Sequence, residues 1–186
     1  MASRTLRIKL FQDGADLAAM ISAAQRGQVS GFTTNPTLMR KAGLTDYKAF
    51  ALKVIAAIPN LPISFEVFSD DFATMEREAR EIASWGGDTY VKIPITNTKG
   101  ESAGPLIRKL SKEKFSLNLT AMLTLDQVET VAAAADPAAR TELVRRTDEC
   151  VVMRVVQPPV TGYRDRSFGA IVAATVRTCR TAAARP

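Results

Sequence analysis

Residues 89–96, Thr-Tyr-Val-Lys-Ile-Pro-Ile-Thr, decide the fold. The run is apolar and β-branched, of strand length, with Lys92 at its middle. Alternation puts Tyr90, Lys92 and Pro94 on one face and Val91, Ile93 and Ile95 on the other. Helical patterns flank it on both sides, as in a parallel sheet, where both faces of a strand are buried. A buried ammonium costs several kcal/mol unless it is paired or sheds its proton. A desolvated lysine attacks carbonyls, the first requirement of Schiff-base chemistry. The plainer alternative is a lysine whose head snorkels to water from a strand end.

The neighbouring segments repeat the same unit. "LRIKLFQD" (6–13) alternates like a strand, and a helix is predicted from about Asp16 to Arg26. "VSGFTTNP" (29–36) reads as a strand ending on Asn35-Pro36, an N-cap followed by proline at the first helical position. The helix so started breaks near Gly43 and resumes over Tyr47–Ile58. "ISFEVFS" (63–69) is the third strand, and Ser69-Asp70-Asp71 opens its helix. A helix over 103–112 follows the lysine strand. "FSLNLTAML" (115–123) is the fifth strand, followed by a helix with a capping-box start at Thr124 and Gln127. Five strand–helix units with short connections predict an α/β parallel sheet, preferably a (β/α)8 TIM-type barrel over a doubly wound sheet. There is no Gly-x-Gly-x-x-Gly or P-loop spacing to support nucleotide binding.

Composition excludes several chemistries. The 186 residues contain no histidine, so Ser-His-Asp, Cys-His and His-Glu-x-x-His arrangements are ruled out. Two isolated cysteines, Cys150 and Cys179, make neither a zinc site nor a disulfide framework, so no metal is expected. No apolar stretch reaches membrane-spanning length and the N-terminus lacks a signal-peptide core, so a soluble cytoplasmic domain is expected. The net charge of +6 is not spread evenly: residues 137–186 hold nine arginines, no lysine and four acidic residues. This tail has no aromatic stacking platform, so nucleic acid is not the expected partner.

Parallel βα folds place their chemistry at the C-terminal ends of the strands. Those positions hold Asp13, Thr33-Thr34-Asn35, Glu66, Lys92, and Asn118 with Thr120. Each has a structural alternative. Asp13 or Asp16 can cap the first helix, and Asn35 the second. Glu66 can be only the ion-pair partner of Lys92, and Asn118 and Thr120 can satisfy backbone groups. Such residues on five successive strands point to one shared mouth.

The segments "FQDGAD" (11–16), "GFTTNPTLMRKAG" (31–43), "YVKIPIT" (90–96) and "LNLTAMLT" (117–124) resemble, in order, the motifs of the transaldolase family over residues 6–136. The resemblance implies a Schiff-base nucleophile at Lys92 and an acid/base at Asp13 for carbon–carbon cleavage. Glu66 and Thr120 would hold the water that shuttles protons. Thr33, Asn35 and Asn118 would bind a dihydroxyacetone unit passed between sugar phosphates in the pentose phosphate pathway. It implies no cofactor, since the protonated imine is itself the electron sink. A carboxylate rather than an amide at Glu66 resembles the transferring branch more than the fructose-6-phosphate aldolase-like branch.

The family's Ser-Pro-Phe-x-Gly-Arg-like phosphate segment has no counterpart after about Ala135. The expected organisation is therefore a partial barrel over 1–136 and a divergent, arginine-rich tail over 137–186, frame-shifted or foreign in character. At about 27 residues per unit, eight units need about 216, so five or six are expected. "CVVMRVV" (150–156) is predicted as the sixth strand and 167–184 as a helix. Such a sheet cannot close, and its open edge predicts self-association into a homo-oligomer. Turnover is the open point for a chain without the phosphate segment. The alternatives are a Schiff-base aldolase acting on small carbonyl compounds and a non-catalytic remnant.

Overall fold

A computed structural model describes residues 11–27, 29–135, 141–146 and 151–156. Five βα units come first. They are β1 (Phe11–Asp13) with α1 (Leu17–Gln25), β2 (Gly31–Thr33) with α2 (Pro36–Lys41) and α3 (Tyr47–Ala57), and β3 (Ile63–Glu66) with α4 (Phe72–Ala83). Then follow β4 (Thr89–Pro94) with α5 (Gly104–Lys112), and β5 (Leu117–Thr120) with α6 (Leu125–Ala134). Two more strands, β6 (Thr141–Arg146) and β7 (Val151–Val156), complete one sheet of order β1-β2-β3-β4-β5-β6-β7. Pairing is parallel from β1 to β6 and antiparallel between β6 and β7. The architecture is a partial (β/α) barrel, open between β1 and β7 among the described strands.

Alternation along the strands sorts the side chains into two layers. Phe32, Ile63, Phe65, Val91, Ile93, Leu117 and Leu119 join the helices in one contiguous apolar core. The opposite face carries Asp13, Thr33, Ser64, Glu66, Lys92, Asn118 and Thr120. Gly31 lies on that inward face, where a Cβ would stand 2.3 Å from the Phe11 ring and 2.7 Å from the Pro62 carbonyl oxygen. Only glycine leaves room for the ring between β1 and the loop before β3.

Helix starts follow the capping signals. Asp16 caps α1 by accepting from the Ala19 N–H at 3.1 Å, Asn35 caps α2 through the Leu38 N–H, and Thr124 with Gln127 forms the capping box of α6. Asp16 therefore takes the capping role that was open to either aspartate, and Asp13 is left for other work.

One strand assignment is corrected. The segment predicted as the sixth strand is the seventh and runs antiparallel, while the sixth is Thr141–Arg146, where Glu142, Arg145 and Arg146 dilute the apolar signal. Four residues separate β6 from β7, too few for the crossover that a parallel neighbour needs, so the chain must turn back. Residues 6–10 of the predicted first strand and the helix predicted over 167–184 lie outside the described residues.

Candidate active site

The C-terminal ends of β1 to β5 surround a cleft of about 820 Å³. Asp13, Thr33, Asn35, Glu66, Lys92 and Thr120 all line it. Lys92 sits at its floor with 8% of its surface exposed, and Nζ lies 3.3 Å from Glu66 Oε2. Register explains the meeting: Glu66 pairs with Lys92 across β3 and β4, and Lys92 pairs with Asn118 across β4 and β5. One layer of the sheet thus carries a carboxyl, an amine and an amide side by side. The snorkelling alternative does not describe this lysine, whose head is buried against a carboxylate.

Burial raises the Glu66 pKa above the ordinary carboxylate range, Lys92 pulls it down, and the charge of Asp13 pushes it up again. Desolvation dominates, so the carboxyl holds a proton more readily than a surface glutamate does. Asp13 is fixed differently. Thr33 donates its hydroxyl proton to Asp13 Oδ1 at 2.8 Å, and the Gly14 N–H bonds the Thr33 carbonyl at 3.0 Å. These bonds hold the aspartate at the end of β1, facing the cleft rather than the first helix.

Asn118 is fully buried below the cleft and does not line it. Its Nδ2 donates to Ser64 Oγ at 2.8 Å, and its Oδ1 has no partner among the described residues. Thr34 Oγ1, next to Thr33, is likewise buried without a partner among the described residues. Unpaired buried polar atoms are uncommon and mark places where a water or ligand group completes the network. Asn35 has two uses: Oδ1 caps α2, and the side chain lines the cleft.

Two contributors escaped the sequence reading. Ser64, which orients Asn118, is the inward residue two before Glu66, so strict alternation along β3 could have flagged it. Tyr47 could not have been found that way. Its hydroxyl accepts the Glu66 N–H at 2.8 Å and donates to the Glu66 carbonyl at 3.2 Å. Strand β2 ends at Thr33, paired with Ser64, so the edge of β3 beside Glu66 lacks a ladder partner there. The tyrosine hydroxyl replaces it, and on the other side the Val67 N–H bonds the Lys92 carbonyl at 3.1 Å. The Glu66 backbone is clamped from both sides.

The Transaldolase/Fructose-6-phosphate aldolase family matches residues 10–158. A probable transaldolase of Dehalococcoides mccartyi is 34% identical over 173 residues, which cover 91% of this chain and 78% of that protein. One from Roseiflexus castenholzii is 34% identical over 173 residues, covering 91% and 77%. One from Streptococcus pyogenes is 39% identical over 120 residues, covering 64% and 53%. The family match runs past residue 136, where the resemblance motif by motif ends, and takes in both β6 and β7.

Proposed function

Because the chain belongs to the Transaldolase/Fructose-6-phosphate aldolase family and is an enzyme of aldolase type, we propose that it transfers a dihydroxyacetone unit between sugar phosphates through an imine on Lys92. The observation that carries this reading is the buried Lys92–Glu66 pair at 3.3 Å on the floor of a cleft that Asp13 also lines.

Nζ must lose a proton before it attacks. Glu66, with its raised affinity for protons, is placed to accept it and to return it, directly or through a water held with Thr120. Attack of Nζ on the ketose carbonyl gives a carbinolamine. Protonation of its hydroxyl expels water and leaves the protonated imine. The bond between the carbon α to the imine and the β carbon that bears the hydroxyl, C3–C4 of a 2-ketose, then breaks. Its electron pair flows to the imine nitrogen as an enamine, while the proton of the departing hydroxyl passes to Asp13 and an aldehyde leaves. The enamine carbon attacks an acceptor aldehyde, Asp13 returns its proton to the new hydroxyl, and water hydrolyses the imine. Asn35 and Thr33, which line the cleft, are the groups available to bind the hydroxyls of the three-carbon unit, while Asn118 lies buried beneath it and bonds Ser64. Each step uses side chains of the chain itself and needs no cofactor. The cytoplasm, where phosphorylated sugars are handled, is the compartment that suits this chemistry. Among the described residues no helix is long and apolar enough to cross a membrane.

The test is reductive trapping. Dihydroxyacetone with borohydride should label Lys92 alone, as read by peptide mass spectrometry, and Lys92→Ala should abolish the adduct. Labelling of another lysine, or undiminished labelling of the variant, rejects the reading.

A further inference from the structure

The cleft has two unlike walls. One is the face of α2 that presents Thr37 and Lys41, four residues apart and hence one above the other on a helix. The other is the loop after β3, where Asp70 faces the loop after β4. Asp70 accepts from the Thr98 N–H at 2.7 Å and from the Thr98 hydroxyl at 2.6 Å. These bonds, with a smaller pull from Lys99, hold its carboxyl below the usual range and so keep it ionised. Lys99 does not line the cleft. Asp13 and Glu66 add acidic groups towards the floor.

Among the described residues that line this space, only Lys41 and Lys92 are basic, and Lys92 is engaged with Glu66. Lys41 is exposed and forms no ion pair with a described residue. A dianionic group entering the cleft is repelled from the Asp70 wall and drawn to the α2 wall.

We propose that Lys41, with the Thr37 hydroxyl one turn before it, grips the phosphate end of the bound sugar and so turns its carbonyl towards Lys92. The orientation towards Lys92 rests on the imine reading above, whereas the phosphate grip itself does not. Arg146, at the C-terminal end of β6, is the competing cation by position in the sheet, and the experiment includes it.

Glucitol 6-phosphate separates the two ideas, because it carries the phosphate and has no carbonyl to form an imine. Its binding to the full chain, followed by phosphorus NMR titration, should be stronger than that of glucitol followed by proton NMR. Lys41→Gln should weaken binding of the phosphorylated polyol roughly tenfold, the size of one charge-assisted hydrogen bond. Lys41→Arg should retain most of it, and Arg146→Gln should leave it within about twofold. Equal binding by Lys41→Gln, a tenfold loss in Arg146→Gln instead, or no phosphate-dependent binding by the native chain overturns the proposal. Trapping with dihydroxyacetone, which has no phosphate, should be the same in Lys41→Gln and the native chain; a parallel loss there would show that Lys41 acts on the site as a whole and also overturns the grip. If Lys92 is not labelled in the native chain while glucitol 6-phosphate binds through Lys41, the imine reading fails and the phosphate grip stands.

Discussion

The first five strands and the β6–β7 hairpin are joined in one sheet but built on different logic. Each of β1 to β5 returns through a helix, so all five point the same way and deliver their C-terminal ends to one mouth. Every described residue that lines the cleft comes from these strands and the connections that follow them. The hairpin reverses direction after four residues, so β7 ends at the opposite side of the sheet from the mouth. Parallel connection thus builds a site, whereas an antiparallel hairpin extends the sheet without adding a second strand end to it.

The largest expected effect lies in the first region. Asp13→Asn should slow release of glyceraldehyde 3-phosphate from fructose 6-phosphate by about 10²–10⁴-fold, the usual contribution of a positioned acid–base group. Dihydroxyacetone trapping on Lys92 should survive in the same variant. Glu142 is the residue of the hairpin best placed to break the division, because register sets it beside Asn118. Glu142→Gln should change trapping by less than about twofold; a loss on the scale of Asp13→Asn would extend the catalytic machinery into β6.

Hydrogen exchange sharpens the same contrast at the level of backbone. Strand β4 is flanked by β3 and β5 and buried on both faces, and its Val91 N–H bonds the Ser116 carbonyl at 2.9 Å. Among the described strands β7 is bonded only to β6. Amides of β4 should exchange on the order of 10²-fold more slowly than those of β7. Equal protection would show that the hairpin opens only with the rest of the domain.

The two regions also differ in how much of them was legible beforehand. Strand–helix alternation, the Asn35-Pro36 and Thr124–Gln127 helix starts and the inward set of polar residues are local patterns, and local patterns survive into the structure. Strand ends were overestimated. Segment 63–69 yields only Ile63–Glu66, and 115–123 only Leu117–Thr120, because the chain leaves the ladder at the mouth. Ala121, at φ 62°, marks that departure after β5. Strand β6 is hard to read in the sequence because its charges hide its alternation, and without β6 the four-residue connection that sets the direction of β7 is not legible. Tyr47 lies 19 residues from Glu66, and no periodicity announces a contact made across a helix and a strand edge.

That contact gives a third, smaller effect. Tyr47→Phe keeps the ring and its edge-on packing against Phe65 at 5.9 Å and Trp85 at 5.4 Å, and removes only the hydroxyl clamp. Losing the partner of a part-buried N–H should lower stability by about 1–3 kcal/mol. If the clamp positions the Glu66 carboxyl, trapping at saturating dihydroxyacetone should also slow, by roughly tenfold, with little change in the half-saturating concentration. Loss of stability with an unchanged trapping rate would make Tyr47 a structural residue only.

The smallest effect is a pH dependence. The folded-state pKa of Glu66 lies above its unfolded value because burial outweighs the attraction of Lys92. Below the unfolded carboxylate range, around pH 4, both states carry the proton and the group leaves stability unaffected by pH. As pH rises from there through the raised folded value, the unfolded chain releases its proton first. The folded state binds more protons over that window, so stability falls as pH increases. Glu66→Gln cannot titrate. The attraction of the carboxylate for Lys92 is already contained in the folded-state shift, so the difference in slope between native chain and variant belongs to Glu66. Urea midpoints measured from pH 4 to pH 7 should therefore shift in favour of the variant, relative to the native chain, as pH rises. A relative shift in the opposite direction would mean that Lys92 stabilises the Glu66 carboxylate more than burial opposes it, and would remove Glu66 as the group that takes up the lysine proton.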